Sequence, residues 1–157
     1  MNMKKRLPYI ICAVIALAVG GLSALLSMNG MEMYTDNLLK PPLSSPAWIF
    51  PVVWTILYVL MGIGAARIWM LPESETRSRG LNLYVTQLIV NFFWSLIFFN
   101  AQAYGFAVIW LLLLWGLVLW MILHWRKIDP IAALLQIPYL IWLTFAAYLN
   151  IGVWILN

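Results

Sequence analysis

Lys40-Pro41-Pro42-Leu43-Ser44-Ser45-Pro46-Ala47-Trp48-Ile49-Phe50-Pro51-Val52-Val53-Trp54-Thr55-Ile56-Leu57-Tyr58-Val59-Leu60-Met61-Gly62 is a proline-rich connection that runs straight into an apolar span. The uncharged run continues to residue 66, long enough to cross a hydrocarbon core of ~30 Å as a helix rising ~1.5 Å per residue. A plain membrane anchor asks only for about twenty apolar residues. Prolines at 41, 42, 46 and 51 and tryptophans at 48 and 54 exceed that requirement, so the segment is read as a helix entry with a second task.

Working outward, the same kind of gap recurs. Of the 157 residues, 65% are hydrophobic and 9% charged, and residues 7 to 31, 41 to 66, 80 to 125 and 130 to 157 carry no Asp, Glu, Lys or Arg. Mean hydropathy is +0.93, well outside the range of soluble domains. The first, second and fourth gaps each hold one crossing, and the third fits two helices joined at Asn100-Ala101-Gln102-Ala103-Tyr104-Gly105, its polar and glycine-containing break. The reading is an all-α integral membrane protein, a single domain over 1–157 with five transmembrane helices at about 7–28, 46–70, 80–100, 105–126 and 130–154.

Basic residues set the expected orientation. Lys4, Lys5, Arg6, Arg67, Arg77, Arg79, Arg126 and Lys127 fall on one side of a five-helix path and Lys40 alone on the other. The N-terminus is therefore placed inside and the C-terminus outside, in the cytoplasmic membrane. The pI near 9.4 then reports topology and gives a nucleic-acid partner no support. The first apolar run is longer than a signal peptide's and is read as a retained helix. Cys12, the one cysteine, forms no intrachain disulfide and is assigned to packing.

The long connection from Asn29 to Ser45 is read as a lid loop on the outer face. Ser45-Pro46 and Asp129-Pro130 are read as helix starts, with Ser or Asp as N-cap and Pro at the first helical position. Ala16, Gly20 and Ala24 form a stripe of small residues, assigned to packing within the bundle rather than to a dimer seam. His124, beside Trp125, Arg126 and Lys127, belongs to the interfacial belt. No internal repeat is evident.

Since the gaps contain no ionisable residue beyond tyrosines, His124 and Cys12, the proton relays and ion sites of pumps and channels have nothing to use. A lone histidine does not make a metal site. What remains is neutral and aromatic. Gln87, Asn91, Trp94 and Phe98 share one helix face by their spacing, as do Tyr139, Trp142, Ala146 and Asn150, and Phe50, Pro51, Trp54 and Tyr58 make a third. Single amides of this kind usually act as interhelical glue worth about 0.6 kcal/mol. Several large rings with N–H donors at mid-span are more than glue requires. Pro51 and Pro138 are expected to free the carbonyls of Ala47 and Leu134 inside their helices. Together these features predict an aromatic pocket beneath the lid, suited to a flat, mostly apolar ligand.

At these residues the chain resembles the tryptophan-rich sensory protein / translocator protein family, also called peripheral-type benzodiazepine receptors. The resemblance rests on Lys40-Pro41-Pro42, Pro51-Val52-Val53-Trp54-Thr55-Ile56-Leu57-Tyr58 with Met61-Gly62, Gln87 with Asn91 and Trp94-Ser95-Leu96-Ile97-Phe98-Phe99, and Pro138-Tyr139-Leu140-Ile141-Trp142-Leu143-Thr144-Phe145 with Leu149-Asn150. It implies a five-helix bundle, often a homodimer, that needs no cofactor. Its ligands would be protoporphyrin IX and isoquinoline carboxamide or benzodiazepine-type molecules. Carried over by motif, Trp54, Asn91, Trp94, Tyr139 and Trp142 would line the pocket, with Tyr34 and Pro42 from the lid; Tyr58, Gln87 and Ala146 join them from the shared faces. It also implies, through Trp54 and Trp142 as candidate catalytic residues, the light-dependent porphyrin breakdown associated with some bacterial members. Porphyrin transport is the alternative function. The Tyr and basic residue that follow the Leu-Asn motif in sterol-linked members are replaced here by Ile151-Gly152-Val153-Trp154.

Overall fold

A computed structural model describes residues 3–44 and 46–157. The described residues form helices α1 (Met3–Leu26), α2 (Met28–Asn37), α3 (Ile49–Trp69), α4 (Glu75–Ser95), α5 (Tyr104–Trp125), α6 (Pro130–Leu134) and α7 (Ile137–Leu156), with a π-helical turn, Leu96–Asn100, extending α4. Five spans are long and apolar enough to cross a membrane: α1, α3, α4 with its π turn, α5, and α6 with α7.

The spans differ from the sequence reading at their ends, for identifiable reasons. The third span starts at Glu75 rather than 80, because the Ser74 side chain accepts from the Arg77 backbone N–H at 3.0 Å and caps the helix. Counting charge-free residues cuts off any helix whose first turn lies among charges. The second starts at Ile49 rather than 46, Pro46 closing a turn through its carbonyl to the Ile49 N–H at 3.1 Å. The expected Ser45 cap lies outside the described residues. The expected lid loop is largely the helix α2. Its sequence, Met-Asn-Gly-Met-Glu-Met-Tyr-Thr-Asp-Asn, is too polar to show an apolar period.

Both prolines read as breaks inside helices prove to mark helix starts. Pro51 lies in the first turn of α3, where a missing N–H leaves no intrahelical bond unmade. Pro138 is the second residue of α7, after a break at Leu135–Gln136 that divides the fifth span. Asp129 caps α6 as expected: its Oδ1 accepts from the N–H groups of Ile131 at 3.1 Å and Ala132 at 3.3 Å. The same carboxylate pairs with the Arg67 guanidinium at 3.0 Å, fastening α3 to α6 at the basic end of the bundle.

Small residues bring α1 against α3. A Cβ at Gly62 would lie 2.5 Å from the Ala13 Cα, and one at Gly20 would lie 2.3 Å from the Tyr58 ring; Ala16 is fully buried. Ala16 and Gly20 of the small-residue stripe therefore pack inside the bundle, while Ala24 is exposed. Near the basic end the core is continuous, with Met61, Ile68, Met121 and Trp125 showing no exposed surface. His124 Nε2 lies 2.8 Å from the Thr76 carbonyl, tying α5 to α4.

Candidate ligand-binding cavity

Away from the basic end the bundle opens into a cavity of about 350 Å³, bordered by α1, α2, α3, α4 with its π turn, and α7. Of the residues singled out in the sequence, Tyr34, Trp54, Tyr58, Asn91, Trp94, Trp142 and Ala146 border it. The i, i+4, i+7 faces explain why: each turns one side toward the same space.

Gln87 and Tyr139 stand behind the wall rather than in it. They are essentially fully buried and complete a chain of hydrogen bonds. The Tyr58 hydroxyl donates to Asn91 Oδ1 at 2.6 Å, Asn91 Nδ2 donates to the Tyr139 oxygen at 2.6 Å, and the Tyr139 hydroxyl donates to Gln87 Oε1 at 2.8 Å. Each residue along this chain fixes the proton of the next, so the Asn91 carboxamide has one orientation. Its second N–H remains available to a ligand. Each such buried bond contributes ~0.5–1.5 kcal/mol net, and a stranded partner costs ~1–3 kcal/mol.

Pro42 also lies off the cavity. Its carbonyl accepts from the Tyr148 hydroxyl, and the adjacent Pro41 ring fills the space left by Gly152, where a Cβ would lie 2.4 Å away. Asn157 completes the anchor, its Oδ1 accepting from Leu39 N–H at 3.2 Å and its Nδ2 donating to the Leu39 carbonyl at 2.8 Å. Pro42 therefore pins the lid connection to α7, outside the ligand space.

The lid contributes Tyr34, whose ring meets Phe50, Phe98 and Phe99 edge-on at centroid distances of 6.5, 5.7 and 5.6 Å. Burial raises its hydroxyl pKa above the usual value, so it stays protonated and able to donate at physiological pH. The Lys40 ammonium lies 5.0 Å over the same ring and donates to the Thr35 carbonyl at 3.0 Å, closing the end of α2. At Gly30, α2 touches the Phe99 backbone so closely that a Cβ would lie 2.3 Å from its carbonyl oxygen. Glycine is required there for contact, whatever its φ.

Sequence reasoning missed part of the site. The π turn, marked by Ala101 N–H bonding to the Leu96 carbonyl at 2.9 Å, brings the consecutive Phe98 and Phe99 both to the cavity. Such a turn is often found at functional sites; neighbouring pairs on the α-helices, Phe50 with Pro51 and Trp94 with Ser95, border the same space. Gly20, Ser23 and Ala24 of α1 also border the cavity. Their small size was the available signal, and it serves both helix contact and open space. Asn150, which shares the Tyr139 face, accepts from Trp94 Nε1 at 3.2 Å and donates to the Tyr104 carbonyl at 3.0 Å.

One indole on the wall lacks an acceptor among the described residues. The Trp142 N–H is buried without a partner, its ring 5.7 Å from Phe50 and 5.3 Å from Phe145. Trp54 makes ring contacts with Tyr58 at 5.7 Å and Tyr139 at 6.2 Å. The arrangement can hold a planar ring system between aromatic edges; the Trp142 N–H is buried in the wall, so an acceptor on a ligand reaches it only when the ring turns.

The TspO/MBR family model matches residues 11–155. The chain is 34% identical over 158 residues to the tryptophan-rich protein TspO of Chlorobaculum tepidum, with 98% of each chain covered. It is 41% identical over 128 residues to the translocator protein of Ovis aries, covering 80% of this chain and 75% of that one. To the tryptophan-rich sensory protein of Cereibacter sphaeroides it is 36% identical over 126 residues, covering 80% and 78%. With five apolar spans and a family match over nearly its whole length, the chain is a multi-pass membrane protein and belongs to the TspO/MBR family.

Proposed function

We propose that this protein is a receptor of the cytoplasmic membrane, N-terminus inside, that binds protoporphyrin IX and related flat conjugated ligands in the aromatic cavity. The observation that carries this reading is the wall itself: Trp54, Trp94, Trp142 and Phe98 surround about 350 Å³ of space while the buried Trp142 N–H goes without an acceptor. An unmade buried hydrogen bond costs ~1–3 kcal/mol, which a ligand carbonyl or carboxylate would recover. The names of the relatives, tryptophan-rich sensory protein and translocator protein, support a receptor or sensor role.

Size divides the ligands. The cavity lies near the lower end of the ~300–1,000 Å³ range of small-molecule sites, so an isoquinoline carboxamide or benzodiazepine-type molecule fits with α2 closed. A tetrapyrrole requires α2 to lift. Saturable quenching of tryptophan fluorescence by protoporphyrin IX, reversed by an isoquinoline carboxamide, is the expected result. Quenching that neither saturates nor competes would remove the assignment.

A second reading, light-dependent porphyrin breakdown with dioxygen as oxidant, is favoured by the position of Trp54 and Trp142 on the wall. Illumination of the loaded protein should bleach the porphyrin into a defined product. Equal bleaching by the double Trp54→Phe, Trp142→Phe variant would exclude a role for these indoles.

A further inference from the structure

A second hollow lies on the outside of the bundle, a groove of about 540 Å³ between α1 and α4 with α3 as its floor. Cys12, Ile15 and Val19 form one bank, Leu88 and Phe92 belong to the other, and Trp69 closes its basic end. On α4 the lining runs from Leu81 to Phe93, about 18 Å at the helical rise. Half of a ~30 Å hydrocarbon core is close to that length, so the groove covers one leaflet from the interface to the midplane. Its elongated shape suits a chain rather than a planar ring.

Charge at the mouth selects the headgroup. Arg77 precedes Leu81 by four residues and Tyr84 by seven, which puts it on the groove face of α4. Its guanidinium lies 4.8 Å over the Trp69 ring and donates to the Trp69 carbonyl at 2.8 Å, with further N–H groups left over. Across the groove, Lys4 continues the strip of α1 that carries Cys12 and Ile15, eight and eleven residues on. Of the nearby acids, Glu75 is paired with Arg79 at 3.2 Å and Glu73 is exposed in the turn.

We propose that this groove holds one acyl chain of an anionic phospholipid from the leaflet at the basic end, with the phosphate against Arg77 and Lys4. This site is separate from the aromatic cavity and independent of what the cavity binds. Attraction of an anionic headgroup is worth about fivefold in occupancy for each basic residue at the surface. The lone thiol of Cys12, partly exposed on the bank, reports whether the groove is filled.

The test is made on the full chain in nanodiscs of mixed phosphatidylglycerol and phosphatidylcholine, with retained lipid counted by native mass spectrometry. One phosphatidylglycerol per chain should remain in preference to phosphatidylcholine. Arg77→Gln should lower its retention about fivefold, and Val85→Trp, which places an indole in the groove, should abolish it. Cys12 should react more slowly with N-ethylmaleimide in phosphatidylglycerol than in phosphatidylcholine vesicles, and Arg77→Gln should remove the difference even if Val85→Trp fails to fold. Equal retention of the two lipids, or retention unaffected by Arg77→Gln, would overturn the proposal. Efficient Cys12 to Cys12 cross-linking by a bismaleimide with no lipid retained would overturn it too, assigning the groove to a second copy.

Discussion

Trp125 and Trp142 are both held among aromatic rings, in opposite halves of the bundle. Trp125 has no exposed surface, lies 5.9 Å from Tyr84, and donates to the Gly80 carbonyl at 3.1 Å. Trp142 lies at similar distances from two phenylalanines, yet its N–H goes without a partner and its ring faces empty space. The half around Trp125 is closed by a helix cap, an ion pair and tight packing. The half around Trp142 carries a lid helix, a π turn and a cavity. The Trp125 N–H, met by a carbonyl, serves the fold, whereas the Trp142 N–H stands unpartnered in the wall of a cavity; the closed half keeps unpartnered groups too, at Tyr84 and Gln136, but neither of them borders that cavity.

The contrast can be broken by substitutions matched across the halves. The largest effect is expected for Asn91→Leu, which strands the Tyr58 hydroxyl and removes a donor from the wall. Protoporphyrin IX affinity, read by fluorescence titration, should fall about 10- to 100-fold, that is ~1.4–2.8 kcal/mol. Next come two equal changes at unequal places. Gly62→Ala meets the α1 backbone, which cannot yield, and should lower stability by ~1–3 kcal/mol in thermal unfolding in detergent micelles. Gly20→Ala meets the Tyr58 ring, which can shift toward the cavity, so affinity should fall more than stability.

Asp129→Ala should cost about 1 kcal/mol of stability through the lost cap, with less from the ion pair, since the Arg67 side chain is 31% exposed and water screens it. Ligand affinity should stay unchanged. The smallest effect is expected for Tyr148→Phe, which frees the Pro42 carbonyl. Ligand release by stopped flow should quicken severalfold with little change in melting temperature.

Much of this was legible in the residues. The number of spans follows from charge-free gaps, and the cavity-facing rings follow from helical period, because both depend on local composition. The lid helix was hidden by its polarity, and Phe99 by a turn whose period differs from that of the helix around it. Gln87 and Tyr139 share the period of the wall, so spacing could not separate the residues that face the ligand space from those that hold Asn91 in place. Their separation depends on depth, which only the packed bundle supplies. Pro51 and Pro138 were visible as breaks, but whether a proline interrupts a helix or begins one depends on where the cap falls.

The location of the ligand can be measured outright by irradiating the protein loaded with a photoreactive isoquinoline carboxamide and mapping the adducts by peptide mass. Adducts are expected within residues 31–54, 91–99 and 142–150, suppressed by excess protoporphyrin IX and diminished in Asn91→Leu. Adducts confined to the α1–α4 groove, or spread over the lipid-facing surface and indifferent to the competitor, would contradict the assignment of the aromatic cavity as the binding site.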